Sequence, residues 1–132
     1  MSDGCIVGVE TGGEHMVVAA ASAAPGSITI LERWECATTK DSAATLAEVR
    51  KLIETAADKY GPLRAVGVAS FGPIDPEPSS KTYGYITTTP KAGWGNTDVL
   101  TALGRGSPRF KDVCSFFFHS SLPSYHVLVL NR

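Results

Sequence analysis

The stretch VGVETGGEHMVV (residues 7–18) decides how this chain begins its fold. Two apolar runs flank the corner Thr11-Gly12-Gly13, and a Gly-Gly pair in that position is a strong signal for a β-hairpin. Glycines at a corner permit positive φ and let a ligand approach the backbone without a Cβ in the way. The corner therefore has two interpretations: a plain turn, or a concavity of N–H groups that holds an anion such as phosphate.

The hairpin extends into an antiparallel meander. Residues 5–10 and 15–22 form its two arms, and residues 28–36 (ITILERWEC) alternate apolar and polar side chains closely enough to predict a third strand. A turn over Ala24-Pro25-Gly26-Ser27 separates the second strand from the third.

A helix and a further strand follow the meander. Between residues 41 and 60, apolar side chains recur every three or four positions, which predicts one apolar helix face. Asp41 or Ser42 caps its start, and Gly61, followed by a proline, ends it. Residues 64–70 (RAVGVAS) are small or β-branched, which is typical of a parallel strand buried in the same sheet. The predicted fold is α/β, in the order β-β-β-α-β.

Residues 71–95 differ from everything before them, because four prolines and four glycines in that stretch exclude long regular elements. A long irregular stretch inside a compact domain is often functional. After it, residues 97–103 (TDVLTAL) predict the start of a helix, capped by Thr97 or Asn96.

Composition excludes several classes of protein. The chain has 132 residues and a formal net charge of −1. This near-neutral charge argues against a nucleic-acid-binding protein, which normally shows a basic face. It has neither an apolar run of the roughly 20 residues that cross a bilayer nor a secretory signal. Its three cysteines are far apart and predict a reducing, cytoplasmic setting. Cys114, His119 and His126 could suggest a metal site, but structural zinc needs four ligands and no fourth is evident, so no metal site is expected.

The composition changes after Gly106. Residues 107–132 contain neither alanine nor glycine, both of which are abundant earlier, and they hold four of the five phenylalanines. We therefore expect two parts, a lobe over residues 1–106 and an atypical tail over residues 107–132.

Three single residues have both a structural and a functional interpretation. Glu10 ends the first strand, where it is either solvated or reaches a metal through water. Asp75 follows the last strand of the lobe, where it orients a hydroxyl, acts as a base, or simply stabilises a turn. Trp94 either stacks on a sugar or anchors its loop to the core.

The combination VGVETGGEH, GVASFGPID and YGYITTTPKAGW resembles the bacterial-type fructokinases of the ROK group of sugar kinases, over residues 4–105. The resemblance implies the N-terminal lobe of the actin-like ATPase (ribonuclease H-like) fold. It implies ATP-dependent phosphorylation of a hexose, D-fructose to fructose 6-phosphate, with magnesium. Sugar and nucleotide are the implied partners, with no nucleic acid and no membrane, and members of this family are often dimers in the cytoplasm.

The resemblance also assigns residues to the nucleotide. Gly12 and Gly13 match the family's phosphate-holding corner, and Glu10 matches an acidic position of the same motif. Glu14 and His15 stand where threonine and lysine are expected, which replaces a hydroxyl and a positive charge beside the phosphates. On the sugar side, the resemblance implies a set of six loop residues: Gly72, Pro73, Asp75, Thr89, Pro90 and Trp94.

Several parts of the family pattern are missing. The catalytic aspartate expected soon after residue 105, the zinc motif and the adenosine lobe do not appear in this sequence. We therefore expect a truncated lobe that is inactive in isolation. The alternative, favoured by Glu14 and His15, is a non-catalytic sugar-binding or interaction module. A sugar-responsive repressor of the same group ranks last, because it needs a helix-turn-helix before the first strand.

Overall fold

The computed structural model describes residues 4–22, 26–75, 77–105, 107–110, 114–119 and 127–130. Its elements follow in chain order: β1 Cys5–Thr11, β2 His15–Ser22, β3 Ile30–Ala37, α1 Ser42–Tyr60, β4 Leu63–Ser70, β5 Tyr85–Ile86, β6 Thr97–Asp98, α2 Val99–Ala102, a 3₁₀ turn Pro108–Phe110, β7 Cys114–His119 and β8 Val127–Leu130.

Six strands form one sheet in the order β3-β2-β1-β4-β7-β8. β1 pairs antiparallel with β2, and β2 pairs antiparallel with β3, which is the predicted meander. The chain then crosses over through α1 and returns as β4, which runs parallel to β1 with Val9 opposite Val68. The α/β class and the β-β-β-α-β order are therefore confirmed.

Helix α1 forms where the apolar spacing changes, and both of its ends follow the sequence signals. Of the two candidate caps, Asp41 is the N-cap, because its carboxylate accepts a hydrogen bond from the Ala44 N–H at 3.0 Å. At the other end, Gly61 has a φ of 100° and donates its N–H to the Ala57 carbonyl at 3.1 Å. The helix buries one apolar face against β1, β2 and β3: Leu46, Val49, Ile53 and Ala56.

The sheet face under α1 holds most of the core. Val7, Val18 and Val68 are almost fully buried there. Burying one such side chain stabilises the folded state by about 1.5–3 kcal/mol. On the opposite face, Gly8 is exposed and Ala65 is half-buried. Burial in β4 therefore alternates along the strand, whereas the sequence predicted a strand buried throughout.

β3 starts at Ile30, two residues later than predicted, and it forms one edge of the sheet. Its inner-face residues Trp34 and Cys36 pack against the core. By contrast, Ile28 and Ile30, just before and at its start, are 79% and 61% exposed.

The helix predicted over residues 97–103 is much shorter than expected. Thr97 pairs with Ile86 as part of β6, and its hydroxyl donates to the Trp94 carbonyl at 2.8 Å. Thr97 lies in β6, before the N-cap position, and the Asp98 carboxylate caps α2 by accepting from the Thr101 N–H. The predicted caps Thr97 and Asn96 were wrong because tertiary bonds and a positive φ at Asn96 take them out of the helix.

The backbone of the tail adds two strands to the sheet. β7 pairs parallel to β4, and β8 pairs antiparallel to β7. The other parts of the tail, residues 111–113, 120–126 and 131–132, lie outside the described residues. The division into a lobe over residues 1–106 and a separate tail stays a prediction. No helix within the described ranges is long and apolar enough to cross a bilayer.

Candidate functional site

Within the described sheet, β1, β3, β4 and β7 run in the same direction and end at one edge, at Thr11, Ala37, Ser70 and His119. A buried hydrogen bond joins the ends of β1 and β4. The Thr11 hydroxyl donates to Ser70 Oγ at 2.6 Å, and Ser70 Oγ donates to the Phe71 carbonyl at 2.8 Å. Ligands of open α/β sheets bind outside the carboxyl ends of such strands. The candidate site is therefore this edge.

The glycine corner is a tight hairpin turn. The Gly12 N–H donates to the His15 carbonyl at 3.0 Å, and a Cβ added at Gly12 would lie 2.4 Å from that same oxygen. Glycine is needed at position 12 for this close approach. Neither Gly12 nor Gly13 has a positive φ, so the turn does not use that freedom.

Gly13 is the open position of the corner. A Cβ added there would meet nothing within 4 Å. Among the residues that the structure describes, no backbone carbonyl accepts a hydrogen bond from the N–H of Gly13 or Glu14. Free N–H groups at an open turn are suited to an incoming anion.

The side chains around the corner carry mainly negative charge. Glu10, Glu14 and His15 are all exposed, and Glu14 offers its carbonyl, not its carboxylate, to the Thr38 N–H at 2.9 Å. Both carboxylates therefore remain in solvent. Carboxylates beside the corner would repel a bound phosphate. A magnesium ion between a carboxylate and the phosphate would turn this repulsion into attraction.

The sugar-side residues lie on two chain segments that are bonded to each other. The Thr87 N–H donates to the Pro73 carbonyl at 2.8 Å, and the Asp75 N–H donates to the Tyr85 carbonyl at 2.9 Å. The Gly72-Pro73 peptide is cis. These bonds join the segment after β4 to β5, so the predicted sugar loop is an ordered unit.

The Asp75 carboxylate organises its own loop. It accepts hydrogen bonds from the hydroxyls of Ser80 and Thr82, both at 2.5 Å, and from the Glu77 N–H at 3.0 Å. These bonds hold the pKa of Asp75 below its ordinary value, with the Ser80 hydroxyl as the largest cause. A carboxylate of lowered pKa is a weaker base, so this geometry favours the turn role over the base role.

Trp94 is fully buried and anchors its loop. The indole N–H donates to the Thr39 carbonyl at 2.7 Å, and its ring meets Phe71 edge-on with centroids 5.5 Å apart. The preceding Gly93 touches the Lys40 carbonyl so closely that an added Cβ would lie 1.8 Å from that oxygen. Of the two interpretations of Trp94, anchoring agrees with this burial. Thr89 accepts from a neighbouring backbone N–H, and Pro90 is exposed.

One short segment between β3 and α1 contacts both groups of predicted residues. The Thr38 hydroxyl donates a hydrogen bond to the Gly12 carbonyl at 2.7 Å. The carbonyls of Thr39 and Lys40 contact the Trp94 loop, through the indole N–H and through Gly93. We name residues 38–40 the bridging segment. Sequence reasoning missed it, because two threonines and a lysine before a helix cap look like an ordinary connection.

Metal-binding potential is limited in this part of the protein. Across the described residues, no group of three or more histidine, cysteine or acidic side chains lies close enough together to hold a metal ion. A magnesium ion at this edge would therefore need phosphate oxygens and water to complete its six ligands.

The sheet order and the crossover helix define an α/β lobe whose loops meet at the strand ends. The ROK family model matches residues 6–108, and the chain belongs to the ROK family.

Proteins that are similar to this chain in sequence are named fructokinases. The chain is 39% identical to the fructokinase of Lactococcus lactis subsp. cremoris over 95 residues, covering 72% of this chain and 30% of that protein. It is 55% identical to the fructokinase of Pediococcus pentosaceus over 52 residues, covering 37% of this chain and 18% of that protein. The chain thus spans about a third of the length of such relatives, or less.

Two solved structures share the fold. A ROK family glucokinase from Streptomyces griseus, in complex with glucose and AMPPNP, aligns with a TM-score of 0.60 at 18% identity, covering 80% of this chain and 31% of that one. A ROK hexokinase from Thermus thermophilus aligns with a TM-score of 0.62 at 18% identity, covering 87% of this chain and 35% of that one. At this identity the likeness establishes the fold.

Proposed function

We propose that this chain forms the N-terminal ligand-holding lobe of a hexose kinase that transfers a phosphoryl group from ATP to D-fructose, giving fructose 6-phosphate. One observation carries the proposal. The glycine corner and the Trp94 loop both bond to the bridging segment, residues 38–40, at the carboxyl edge of the sheet. Phosphoryl transfer is mainly positioning and charge stabilisation, so two ligand loops held by one segment suit it. The fructokinase names of the relatives support the choice of sugar.

The nucleotide phosphates would lie against Gly13. Its open Cβ position and the unbonded N–H groups of Gly13 and Glu14 provide room and donors for an anion. Glu10 is the exposed carboxylate that would reach a magnesium ion through water. When bound with ATP, magnesium neutralises charge that develops on the phosphates.

The sugar would lie against the loop formed by Gly72, Pro73, Asp75, Thr89 and Pro90. Because the Asp75 carboxylate is already bonded to Ser80 and Thr82, it would orient a hydroxyl more readily than remove its proton. We infer that the base belongs to the remainder of a full-length kinase.

A chimera tests the proposal directly. Residues 1–105 of this chain replace the matching segment of the Lactococcus lactis fructokinase, and phosphorylation of fructose, glucose and mannose is followed in an ADP-coupled assay. We expect turnover with fructose preferred. A folded chimera that phosphorylates none of the sugars, or prefers glucose, contradicts the proposal.

Two matched glycine substitutions in the chimera test the phosphate site. Gly13→Ala and Gly8→Ala each add a Cβ that meets nothing within 4 Å, so neither disturbs packing. We expect Gly13→Ala to raise the KM for ATP about tenfold and to leave the KM for fructose unchanged, because its methyl group occupies the space of the phosphates. Equal KM values for ATP in both variants would place the phosphates elsewhere.

A second candidate is a non-catalytic sugar-binding or interaction module. The exposed Glu14 favours it, because a carboxylate beside the corner repels phosphate. In that case the chimera binds fructose in calorimetry but shows no turnover. The double variant Glu14→Thr with His15→Lys then separates the two candidates, since a kinase lobe gains ATP affinity and a module that has lost its phosphate site gains none.

We place the protein in the cytoplasm. Cys5 and Cys36 are free thiols, in agreement with a reducing compartment.

A further inference from the structure

Thr38 contacts the glycine corner twice. It directly follows the last residue of β3 and is half-buried. Its N–H donates to the Glu14 carbonyl at 2.9 Å, and its hydroxyl donates to the Gly12 carbonyl at 2.7 Å. One residue outside the hairpin therefore holds both sides of the turn.

These contacts divide the polar groups of the corner into two sets. The carbonyls of Gly12 and Glu14 accept from Thr38, and the His15 carbonyl accepts from the Gly12 N–H. The N–H groups of Gly13 and Glu14, both exposed residues, have no backbone acceptor within the described ranges. An anion needs donors that are free to meet it and carbonyls that are turned away, because a carbonyl oxygen repels an anion. The corner meets both conditions.

The Thr38 hydroxyl also fixes the direction of one N–H group. The peptide between Gly12 and Gly13 is trans, and the C=O and N–H of a trans peptide point in opposite directions within one plane. Because the Gly12 carbonyl points at the Thr38 hydroxyl, the Gly13 N–H points away from Thr38. The hydroxyl therefore orients a donor that it does not itself contact.

Two glycines make this orientation easy to lose. Turning the peptide plane over changes ψ of Gly12 and φ of Gly13, and glycine is free to change both. Without a hydrogen bond on its carbonyl, the reversed peptide would present the oxygen to the anion. Threonine suits the holding position, because its β-branched side chain has a restricted χ1 and keeps the hydroxyl in one place.

We propose that Thr38 is a positioning residue, whose hydroxyl holds the Gly12 carbonyl so that the Gly13 N–H faces the phosphates of the nucleotide. The identity of this anion rests on the proposed function. Thr38 itself touches neither substrate, and it acts through the Gly12–Gly13 peptide.

Binding of pyrophosphate to the 132-residue chain tests the positioning without catalysis. The chain is labelled with ¹⁵N and titrated with magnesium pyrophosphate, and the Gly13 amide resonance is expected to shift. Thr38→Val keeps the shape of the side chain but removes the hydroxyl, so half-saturation is expected to need about tenfold more pyrophosphate. Thr38→Ser restores the donor and is expected to stay within about threefold of the wild type.

Thr55→Val is the matched control. The Thr55 hydroxyl also donates to a backbone carbonyl, that of Lys51 at 2.9 Å, but it lies on the exposed surface of α1. This variant is expected to titrate as the wild type does. Thr38→Ala, which also lacks the hydroxyl, replaces Thr38→Val if valine prevents folding. The proposal is overturned if the Gly13 resonance of the folded wild-type chain does not respond, or if the variant without the hydroxyl titrates as Thr55→Val does.

The fructokinase chimera separates this inference from the proposed function. There, Thr38→Val is expected to raise the KM for ATP about tenfold and to leave the KM for fructose unchanged. A loss of folded protein would lower the apparent kcat without changing either KM, so a purely structural role does not give this result. An unchanged KM for ATP counts against the positioning.

The two experiments fail in different ways. If the parent chimera phosphorylates no sugar while the Gly13 resonance still depends on the Thr38 hydroxyl, the proposed function fails and the positioning stands. If the chimera is active but the wild type and Thr38→Val bind pyrophosphate equally well, the positioning fails and the proposed function stands.

Discussion

At the scale of single residues, Gly93 shows how a position is fixed by a neighbour far away in the chain. Its φ is 85° and its missing Cβ leaves room for the Lys40 carbonyl. We expect Gly93→Ala to lower the free energy of unfolding by about 2–3 kcal/mol, through backbone strain and this clash. Gly95→Ala is the control, since its Cβ would lie 3.6 Å from the nearest atom. Urea unfolding of both variants measures the difference, and equal losses would refute the contact.

At Tyr83, a substitution is expected to preserve or raise stability, because in the described part of the chain its buried hydroxyl has no hydrogen-bond partner. Tyr83 is 6% exposed, and among the described residues nothing is hydrogen-bonded to its hydroxyl. The Arg105 guanidinium lies 5.3 Å from the ring centroid. A buried unsatisfied hydroxyl destabilises a protein by about 1–3 kcal/mol, whereas the cation–π contact survives in phenylalanine. We expect Tyr83→Phe to unfold at the same or a higher temperature, as measured by calorimetry. A clear loss of stability would show that the hydroxyl is bonded.

At the scale of elements, one carboxylate joins the end of α1 to β3. Glu32 accepts hydrogen bonds from Lys59 Nζ and from the Tyr60 hydroxyl, both at 2.6 Å. These contacts lower the pKa of Glu32, with the Lys59 bond as the largest cause, and they raise the pKa of Lys59 and Tyr60. The helix end is therefore attached to the edge strand by a charge-assisted contact.

This contact gives stability a defined dependence on pH. Because the folded pKa of Glu32 lies below the ordinary value of 4.5, its contribution is complete above that pH and is lost as the pH falls through the folded pKa. We expect Glu32→Gln to be less stable than the wild type at pH 7 and the difference to shrink as the pH drops below 4.5. Urea unfolding across this range measures it. Glu54→Gln, which removes a carboxylate from α1, controls for overall charge, and an unchanging difference for Glu32→Gln would contradict the contact.

At the scale of the whole molecule, the proposed function makes this chain one lobe of a kinase site. A general base contributes about 10²–10⁴-fold to rate, and closure around the substrate excludes water. We expect the purified 132-residue chain to show no fructose-dependent consumption of ATP above background in a coupled assay. Normal turnover would mean that these residues already contain the complete site.

Most of the fold was predictable because local signals and tertiary contacts agree. The apolar spacing of α1, the Asp41 cap and the Gly61 stop all lie within one element, and each was found as predicted. The failures lie where a distant partner competes. Thr97 pairs with Ile86 in β6, so α2 begins later than predicted and its cap is Asp98.

The candidate site was predictable only in part. The matching motifs identified the glycine corner and the sugar loop, and the ROK family they indicated is confirmed over residues 6–108. The roles of those residues stay predictions. The bridging segment, residues 38–40, carries no motif, because its threonines act through a hydroxyl and backbone carbonyls that any similar residue also has.

By itself, the sequence determined the first five elements and their order, since periodicity, caps and glycine corners act within a few residues of the chain. Tertiary structure alone decided what those elements touch. Trp94 is buried and donates its indole N–H to the Thr39 carbonyl, whereas Ile30 is exposed at a sheet edge. The physical reason is that burial and hydrogen-bond partners depend on segments tens of residues apart, whose meeting is set by the packing of the whole sheet.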